Sequence, residues 1–217
     1  MKEKTLKYFW YIHNNAVIIR RDFIDKLNPI AHKISSSSLT NIPLIENTAK
    51  KKKLVILSTG MANEKDINNA INAVKKNRNQ KIILMHCVSI YPTKTNNINL
   101  KTIKWLKKKY NFLVGYSDHT KSNLPISLSI ASGACIIEKH FTFDMKRKGF
   151  DHKISYDEKK FKESWAYKEL YTARNVKPSF SWGLILGIIF TGIDQILFRG
   201  KLPFTLKHKH ADHETLR

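Results

Sequence analysis

The chain has 217 residues, enough for one domain with a sizeable core or for a smaller domain with an appendage. Its formal net charge of +22 at pH 7 would suit nucleic acid or an anionic membrane surface as a partner. The lysines, however, form short scattered clusters where helices or turns should be solvated, and no zinc-finger, helix-turn-helix or aromatic stacking motif accompanies them. Composition therefore argues against nucleic acid.

The first 22 residues hold no apolar stretch long enough for a secretory signal, and the segment 1–22 stays unassigned. From about residue 30, short apolar runs alternate with segments of helical periodicity, which is the βα pattern. The runs are rich in β-branched residues and bounded by polar residues or glycine, as buried parallel strands are. They are Ile30–Ile34, Leu54–Leu57, Ile82–Met85, Phe112–Val114 and Ala134–Ile137.

The clearest helix lies between the second and third runs. Apolar residues recur there at i, i+3, i+4 and i+7 from Ile67 to Val74, and Asn63 is placed as the N-cap. Further helices are predicted over about Leu100–Tyr110 and Asn123–Ser132, and a capping box at Ser155–Glu158 predicts another through Phe161.

Five βα units predict an α/β fold, a partial (β/α)8 TIM barrel with about the last five units, spanning residues 23–162. Eight strands are needed before such a sheet meets itself, so the sheet is either open or lacks strands. Polar residues cluster where each predicted strand ends, at the edge where barrels and open sheets build active sites. These are Lys33 with Ser35–Ser38, Ser58–Gly60, His86 with Ser89, Ser117–His119 and Glu138–His140.

Six motifs at these positions carry a family resemblance. They are Lys33-Ile34-x-Ser36, Val55–Ala62, His86–Thr93, Gly115–Thr120, Glu138–Thr142 and Gly149–His152. In this order and spacing they resemble the N-acetylneuraminate (sialic acid) synthases and their legionaminic and pseudaminic acid synthase relatives.

The resemblance implies a transferase that condenses phosphoenolpyruvate with the open-chain aldehyde of an N-acylated amino sugar, releasing phosphate and forming a nine-carbon 2-keto acid in carbohydrate biosynthesis. It implies His119 and His140 as ligands of a divalent cation, Mn²⁺ or Mg²⁺, which polarises the aldehyde. It also implies Asp151 and Tyr91 as sugar contacts. The implied phosphoenolpyruvate-binding residues are Lys33, Ser36, Ser58, Ser89 and Ser117, an ammonium and short donors suited to an anion.

The sequence departs from the family in three places. Nothing before Phe23 matches the family's opening three strands, and Ser38 stands where an acidic residue is usual. The third departure is the family's C-terminal antifreeze-like domain, on which its dimer depends and which has no counterpart here. Whether the chain forms a homodimer is therefore not decided. We therefore expect a truncated chain with impaired activity, and which sugar it accepts is not decided.

A second resemblance rests on residues 163–180, Thr191–Asp194, Phe198–Lys201 and Pro203–His208. With these residues the segment 163–217 resembles a C-terminal region of electron-transfer flavoprotein:ubiquinone oxidoreductase. With two cysteines and no GxGxxG, neither an FAD loop nor a four-cysteine iron–sulfur site can form. The apolar run Trp182–Phe198 predicts a short helical tail that lies at a membrane interface or is buried against a parent domain.

Cys87 and Cys135 fall in apolar runs and are expected to be reduced core thiols, which favours a cytoplasmic location. The apolar tail leaves open a peripheral location at the inner face of a membrane. Two alternatives to the synthase remain. One is a non-catalytic chimeric fragment with a membrane-associating tail, and the other is a basic peripheral membrane protein that binds anionic lipid.

Overall fold

The computed structural model describes residues 9–10, 29, 31–148, 151–163 and 188–191. Its strands are all parallel and form one sheet in the order β1-β7-β6-β5-β4-β3-β2. The strands are β1 (Phe9–Trp10), β2 (Ala31–Ile34), β3 (Leu54–Ser58), β4 (Ile82–Cys87), β5 (Leu113–Asp118), β6 (Ile137–His140) and β7 (Ile188–Thr191).

Strands β2 to β6 pair in chain order and form a parallel half-barrel, the partial TIM-barrel-like fold that the βα pattern predicts. Helices connect successive strands, so each crossover returns the chain to the same end of the sheet. They are α1 (Ile42–Ala49), α2 (Glu64–Lys76), α3 (Lys101–Tyr110), α4 (Leu124–Ala131) and, after β6, α5 (Glu158–Glu163).

The helix predictions hold with one omission and one correction. Helix α2 begins with a capping box between Asn63 and Asp66, as the sequence predicts. The omitted helix is α1, whose N-cap Asn41 accepts a hydrogen bond from the Leu44 N–H. Ser155 does not cap α5.

Two neighbouring hydrogen bonds explain that correction. The Ser155 hydroxyl donates instead to the Asp151 carbonyl oxygen, 2.7 Å away. The Lys160 N–H donates to the Asp157 carboxylate at 2.8 Å, so Asp157 caps the first turn of α5. Asp157 directly precedes the helix and therefore supplies the cap, whereas Ser155 lies two residues earlier.

The two faces of the half-barrel bury different residues. On the helix side, a large cluster joins alternate strand residues to the apolar faces of the helices, with Ile45, Leu57, Ile71, Leu84 and Leu106 among its members. On the barrel side, a smaller cluster holds the residues between them, Ala31, Ile56, Ile83, Met85 and Ile136. This alternation is the two-residue period of a strand, and it fixes which side chains point into the barrel.

The buried amide of Asn79 stabilises the end of the sheet at which the strands begin. Its Nδ2 donates to the Lys53 and Ala49 carbonyl oxygens at 2.8 Å and 3.3 Å, and its Oδ1 accepts from the Lys81 N–H at 3.0 Å. One side chain thus joins the end of α1 to the starts of β3 and β4. This edge is built for stability, which leaves the opposite edge for chemistry.

Strands β1 and β7 lie in segments where no strand was predicted. Residues 188–191 form a strand beside β6 rather than the predicted helix, because β6 offers an edge of unpaired backbone groups and Ile188, Ile189 and Thr191 are β-branched. The rest of 163–217 beyond Glu163 lies outside the described residues, as does 1–22 apart from β1. Within the described ranges, no helix combines the length and apolar character that crossing a bilayer requires.

Candidate active site

A polar layer lies in the barrel directly above the apolar barrel-side cluster. Lys33, Ser58 and Cys87 each follow a member of that cluster by two residues on the same strand, and therefore share its face. Glu138 on β6 likewise follows Ile136, which directly precedes that strand, by two residues. Ser117 follows Gly115 in the same way, and a Cβ on Gly115 would meet Met85 and Ile136 of the cluster. Five strands thus direct polar side chains to one level of the barrel. We call these five residues the polar layer.

Lys33 and Glu138 form a buried ion pair across the polar layer. The Lys33 Nζ lies 2.9 Å from Oε1 and 2.7 Å from Oε2 of Glu138, and the two side chains are only 9% and 2% exposed. Strand β2 supplies the cation and β6 the anion, at opposite ends of the half-barrel. The pair places a strong, desolvated cation in the middle of the site.

Two small residues complete the polar layer. The Ser58 hydroxyl is buried and has no hydrogen-bond partner among the described residues. Burial raises the pKa of the Cys87 thiol, against a lowering by Lys33, so Cys87 is a neutral group here. The chain passes close by at Gly60, where a Cβ would lie 2.6 Å from the Cys87 Sγ.

Ser36 and Ser89 bring two loops together above the polar layer. A 3-10 turn over Ser36–Ser38 follows β2, and the Ser36 hydroxyl lies 2.9 Å from that of Ser89 beyond β4. Ser38, which stands in place of an acidic residue, accepts a hydrogen bond from the Ser35 hydroxyl at 3.1 Å. The two predicted anion contacts therefore converge, whereas Ser38 is engaged within its own turn.

His119 is held in one tautomer directly after β5. Its Nδ1 lies 2.7 Å from the Val88 carbonyl oxygen, which can only accept, so Nδ1 carries the hydrogen. Its Nε2 therefore accepts from the Ser117 hydroxyl, 3.1 Å away. Burial lowers the pKa of the imidazole below its usual value, opposed by the bond to Val88. The lone pair of His119 is therefore on Nε2, where it accepts the hydrogen bond from Ser117.

His140, Tyr91 and Asp151 gather around His119. The His119 and His140 rings meet edge to face with centroids 5.2 Å apart, and the Tyr91 ring lies 4.2 Å from His119 and 5.7 Å from His140. The Asp151 Oδ2 is 4.0 Å from the His140 Nδ1. The predicted metal ligands and the predicted sugar contacts thus occupy one place at the mouth of the barrel.

The pair of histidines fits a metal whose coordination shell is completed from outside the protein. A ligand histidine is usually fixed by a hydrogen bond from its other nitrogen, as the bond from Nδ1 of His119 to Val88 does. Across the part of the chain that the structure describes, no group of three or more histidine, cysteine and acidic side chains is arranged to hold a metal ion. The geometry suits an open site with substrate and water as further ligands, and does not suit a closed structural site.

The role of Glu138 was missed at the sequence level. It was noted only as part of the polar cluster at the end of β6, without a function. Strand alternation would have placed it on the same face as His140, two residues on, and hence in the barrel. Its pairing with Lys33 could not have been read from spacing, because the two lie at opposite ends of the half-barrel.

A comparison with protein families agrees with this geometry. A model of the NeuB family matches residues 18–173, most of the chain. The chain belongs to the NeuB family. The match begins before and ends beyond the range 23–162 from which the resemblance was taken.

Relatives of the chain include an N,N'-diacetyllegionaminic acid synthase and an uncharacterized protein. The chain is 44% identical over 144 residues to the N,N'-diacetyllegionaminic acid synthase of Campylobacter jejuni, an alignment covering 65% of this chain and 43% of the relative. It is 48% identical over 142 residues to an uncharacterized protein of Methanocaldococcus jannaschii, covering 65% of this chain and 42% of that protein.

A solved structure shares the fold of this chain. The N-acetylneuraminic acid (sialic acid) synthetase of Leptospira borgpetersenii, in complex with citrate, superposes with a TM-score of 0.66 at 35% identity. The superposition covers 76% of this chain and 57% of that one. The chain spans less than half the length of the curated relatives it matches.

Proposed function

We propose that this chain carries the phosphoenolpyruvate- and metal-binding residues of a sialic acid synthase-type enzyme. The reaction joins phosphoenolpyruvate to the aldehyde of an N-acylated amino sugar and yields a nine-carbon 2-keto acid and phosphate. The observation that carries the proposal is the polar layer itself, in which a desolvated lysine and short hydroxyls face a pair of adjacent imidazoles.

The anion-binding part rests on Lys33 and the hydroxyls around it. Lys33 supplies a full positive charge at low exposure, where its attraction for a phosphate or carboxylate is stronger than in water. The unpaired Ser58 hydroxyl, together with Ser36, Ser89 and Ser117, supplies donors at the same mouth. Glu138 neutralises Lys33 in the absence of substrate, so Lys33 exchanges the Glu138 carboxylate for the substrate anion when substrate binds.

The electrophile belongs beside the histidines. A divalent cation held by His119 and His140, Mn²⁺ or Mg²⁺, would act as a Lewis acid on the aldehyde oxygen. The carboxylate of Asp151 and the hydroxyl of Tyr91 lie at the same place and can accept or donate hydrogen bonds to sugar hydroxyls. Phosphoenolpyruvate and sugar are thereby held at neighbouring points of one cavity mouth.

The reaction balances with one water molecule. The methylene carbon of phosphoenolpyruvate bonds to the aldehyde carbon, whose oxygen takes a proton and becomes a hydroxyl. The oxygen of water bonds to the carbon that bears the phosphate, and the bond from that carbon to the phosphate oxygen breaks. One proton of the water ends on the new hydroxyl and the other on the departing phosphate. Inorganic phosphate leaves and the carbon becomes the keto group of the product.

Phosphate release tests this proposal. The full chain is incubated with phosphoenolpyruvate, a panel of N-acetylated hexosamines and Mn²⁺, and we expect phosphate to appear only when all three are present. Chelation with EDTA and the variant H119A should each abolish release. K109M, which removes an exposed lysine on α3, serves as the matched control.

Binding of phosphoenolpyruvate gives a second readout that does not require turnover. Titration calorimetry should show that K33M weakens phosphoenolpyruvate binding by about a hundredfold, since a hydrogen bond to a charged group contributes about 1.5–3 kcal/mol. Equal affinity of wild type and K33M would overturn the assignment of this site.

A further inference from the structure

A second buried ion pair lies on the other face of β5 and β6. Asp118 and Lys139 are paired directly in the register of the two strands, and their side chains are 0% and 5% exposed. The Lys139 Nζ lies 2.6 Å from the Asp118 Oδ2. Their strand neighbours Ser117 and Glu138 point into the barrel, so this pair points outward, into the layer between sheet and helices.

The hydrogen bonds of the pair lie where β5 and β6 end. The Asp118 Oδ1 accepts from the Tyr116 hydroxyl at 3.2 Å and from the Thr120 N–H at 3.1 Å. The Lys139 Nζ also donates to the Thr120 carbonyl oxygen, and it stands 4.7 Å from the centroid of the Tyr156 ring. The ammonium therefore joins β6 to β5 and to the turn that follows β5.

Tyr156 adds a third side to this arrangement. Its ring covers the Lys139 ammonium, and its backbone N–H donates to the His140 carbonyl oxygen at 2.8 Å. Tyr116 and Tyr156 both belong to the apolar cluster on the helix side. A charged pair is costly in such a layer unless it is fully hydrogen bonded, which makes its location significant.

The location is one residue before each of the two histidines. Asp118 precedes His119 and Lys139 precedes His140, and these histidines are the metal ligands of the proposed function. The direction of an imidazole depends on the backbone that carries it. A clamp on the preceding residues fixes both backbones relative to each other.

We propose that the Asp118–Lys139 pair is a positioning device that sets the separation and orientation of His119 and His140. This inference rests on the proposed function, in which the two histidines hold the divalent cation. Asp118 and Lys139 do not touch substrate or metal. They act through the strand ends that carry the two histidines.

The test compares the full-length wild type with K139M and with the charge-neutral double variant D118N/K139M. Two readouts are taken. The first is Mn²⁺ affinity, from the loss of the electron paramagnetic resonance signal of free Mn²⁺. The second is the nuclear Overhauser contact between the His119 and His140 imidazoles in the metal-free chain. We expect both variants to bind Mn²⁺ at least about tenfold more weakly, as for other outer-shell partners of metal ligands, and to lose the contact between the rings.

The double variant distinguishes a positioning pair from a merely structural one. It leaves no unpaired charge, so its melting temperature should recover relative to K139M. If the pair positions the histidines, Mn²⁺ affinity and the ring contact should nevertheless stay impaired. Wild-type Mn²⁺ affinity and an intact ring contact in the double variant would overturn the inference. The control K109M, which removes the exposed pair with Glu64, should change neither readout.

Unfolded variants or a failed metal site would still leave the inference testable. If both variants fail to fold, Y116F removes only one hydroxyl from Asp118 and should weaken Mn²⁺ binding about threefold, in keeping with the loss of one hydrogen bond; unchanged affinity and ring contact in Y116F would overturn the inference. If wild type and H119A bind Mn²⁺ equally, the proposed metal site fails, and the ring contact alone then decides whether the pair positions the histidines.

Discussion

Lys33 and Glu138 meet across the barrel, with Nζ 2.9 Å and 2.7 Å from the two carboxylate oxygens, although 105 residues separate them in the chain. The first belongs to β2 and the second to β6, the two ends of the half-barrel. Their contact therefore depends on the curvature of the whole sheet. Under the proposed function, an anion that binds Lys33 competes with Glu138 for the same ammonium.

The variant E138Q tests this competition. Removal of one partner of a buried pair should lower the free energy of unfolding by about 3–5 kcal/mol, because Lys33 stays in place with little access to water. Phosphoenolpyruvate or inorganic phosphate should then restore part of that loss by supplying a negative charge. We expect the anion to raise the melting temperature of E138Q more than that of the wild type.

The control for E138Q is ionic strength. Matched concentrations of sodium chloride should not reproduce the shift, since a specific anion site differs from general screening. Equal phosphate-induced shifts in wild type and E138Q would contradict the idea that Glu138 and the anion share Lys33.

Ser58 should contribute to binding and not to stability. Its hydroxyl is buried without a partner among the described residues, so S58A removes a desolvation penalty. The free energy of unfolding should stay the same or rise by up to about 1 kcal/mol, while phosphoenolpyruvate binds about tenfold more weakly. Urea unfolding and titration calorimetry on the same preparation measure the two effects.

A matched serine gives the opposite pattern. The buried Ser129 hydroxyl donates to the Ile126 carbonyl oxygen at 2.7 Å. S129A should lower the free energy of unfolding by about 1 kcal/mol and leave phosphoenolpyruvate binding unchanged. A loss of stability in S58A as large as that in S129A would show that Ser58 has a structural partner.

Gly60 sets the approach of the β3 loop to β4. A Cβ here would lie 2.6 Å from the Cys87 Sγ, 2.8 Å from the Cys87 carbonyl oxygen and 3.0 Å from the Ser89 Oγ. The backbone contact cannot be relieved by a rotamer change, so G60A should lower the free energy of unfolding by about 1–3 kcal/mol and also weaken phosphoenolpyruvate binding.

Gly133 separates those two effects. Its φ of +100° strains any side chain, but the nearest atom to a Cβ there is 3.9 Å away. G133A should therefore cost stability, about 1–3 kcal/mol, with phosphoenolpyruvate affinity intact. If G60A keeps wild-type affinity, the Gly60 loop is not part of the anion site.

Apolar periodicity was sufficient to predict the five central strands and most helices. It ended the strands too early, however. Ser58, Ser117 and Glu138 lie inside strands, although each was first placed after a strand or at its end. A search for apolar runs stops at the first polar residue, whereas a barrel continues its strands through a polar layer at the active-site edge.

Position along a strand would have assigned the site more fully. Residues two positions beyond the barrel-side cluster point into the barrel, and this rule adds Cys87 and Glu138 to the residues that the resemblance supplied. The pair of Asp118 and Lys139 needs the strand register as well, which the sequence does not contain. Strand β7 depends on the open edge of β6, a tertiary effect that local propensity toward helix in 182–198 does not include.

The pH dependence of stability should reveal the burial of His86. Its Nε2–H donates to the Ile98 carbonyl oxygen at 2.7 Å, and its ring stacks on Tyr116 with centroids 5.8 Å apart. Burial lowers the pKa of His86, although the bond to Ile98 opposes this. The unfolded chain takes up a proton near the usual value of about 6.5, where the folded chain resists it.

Protons therefore favour the unfolded state, and the free energy of unfolding should fall as the pH drops from 7.5 toward 5. In H86Q the amide can still donate to Ile98 but cannot titrate, so its decline over that range should be shallower. Because His119 and all other groups are common to both proteins, the difference between the two urea-unfolding series isolates His86. Parallel series would show that His86 accepts its proton in the folded chain as readily as in the unfolded one.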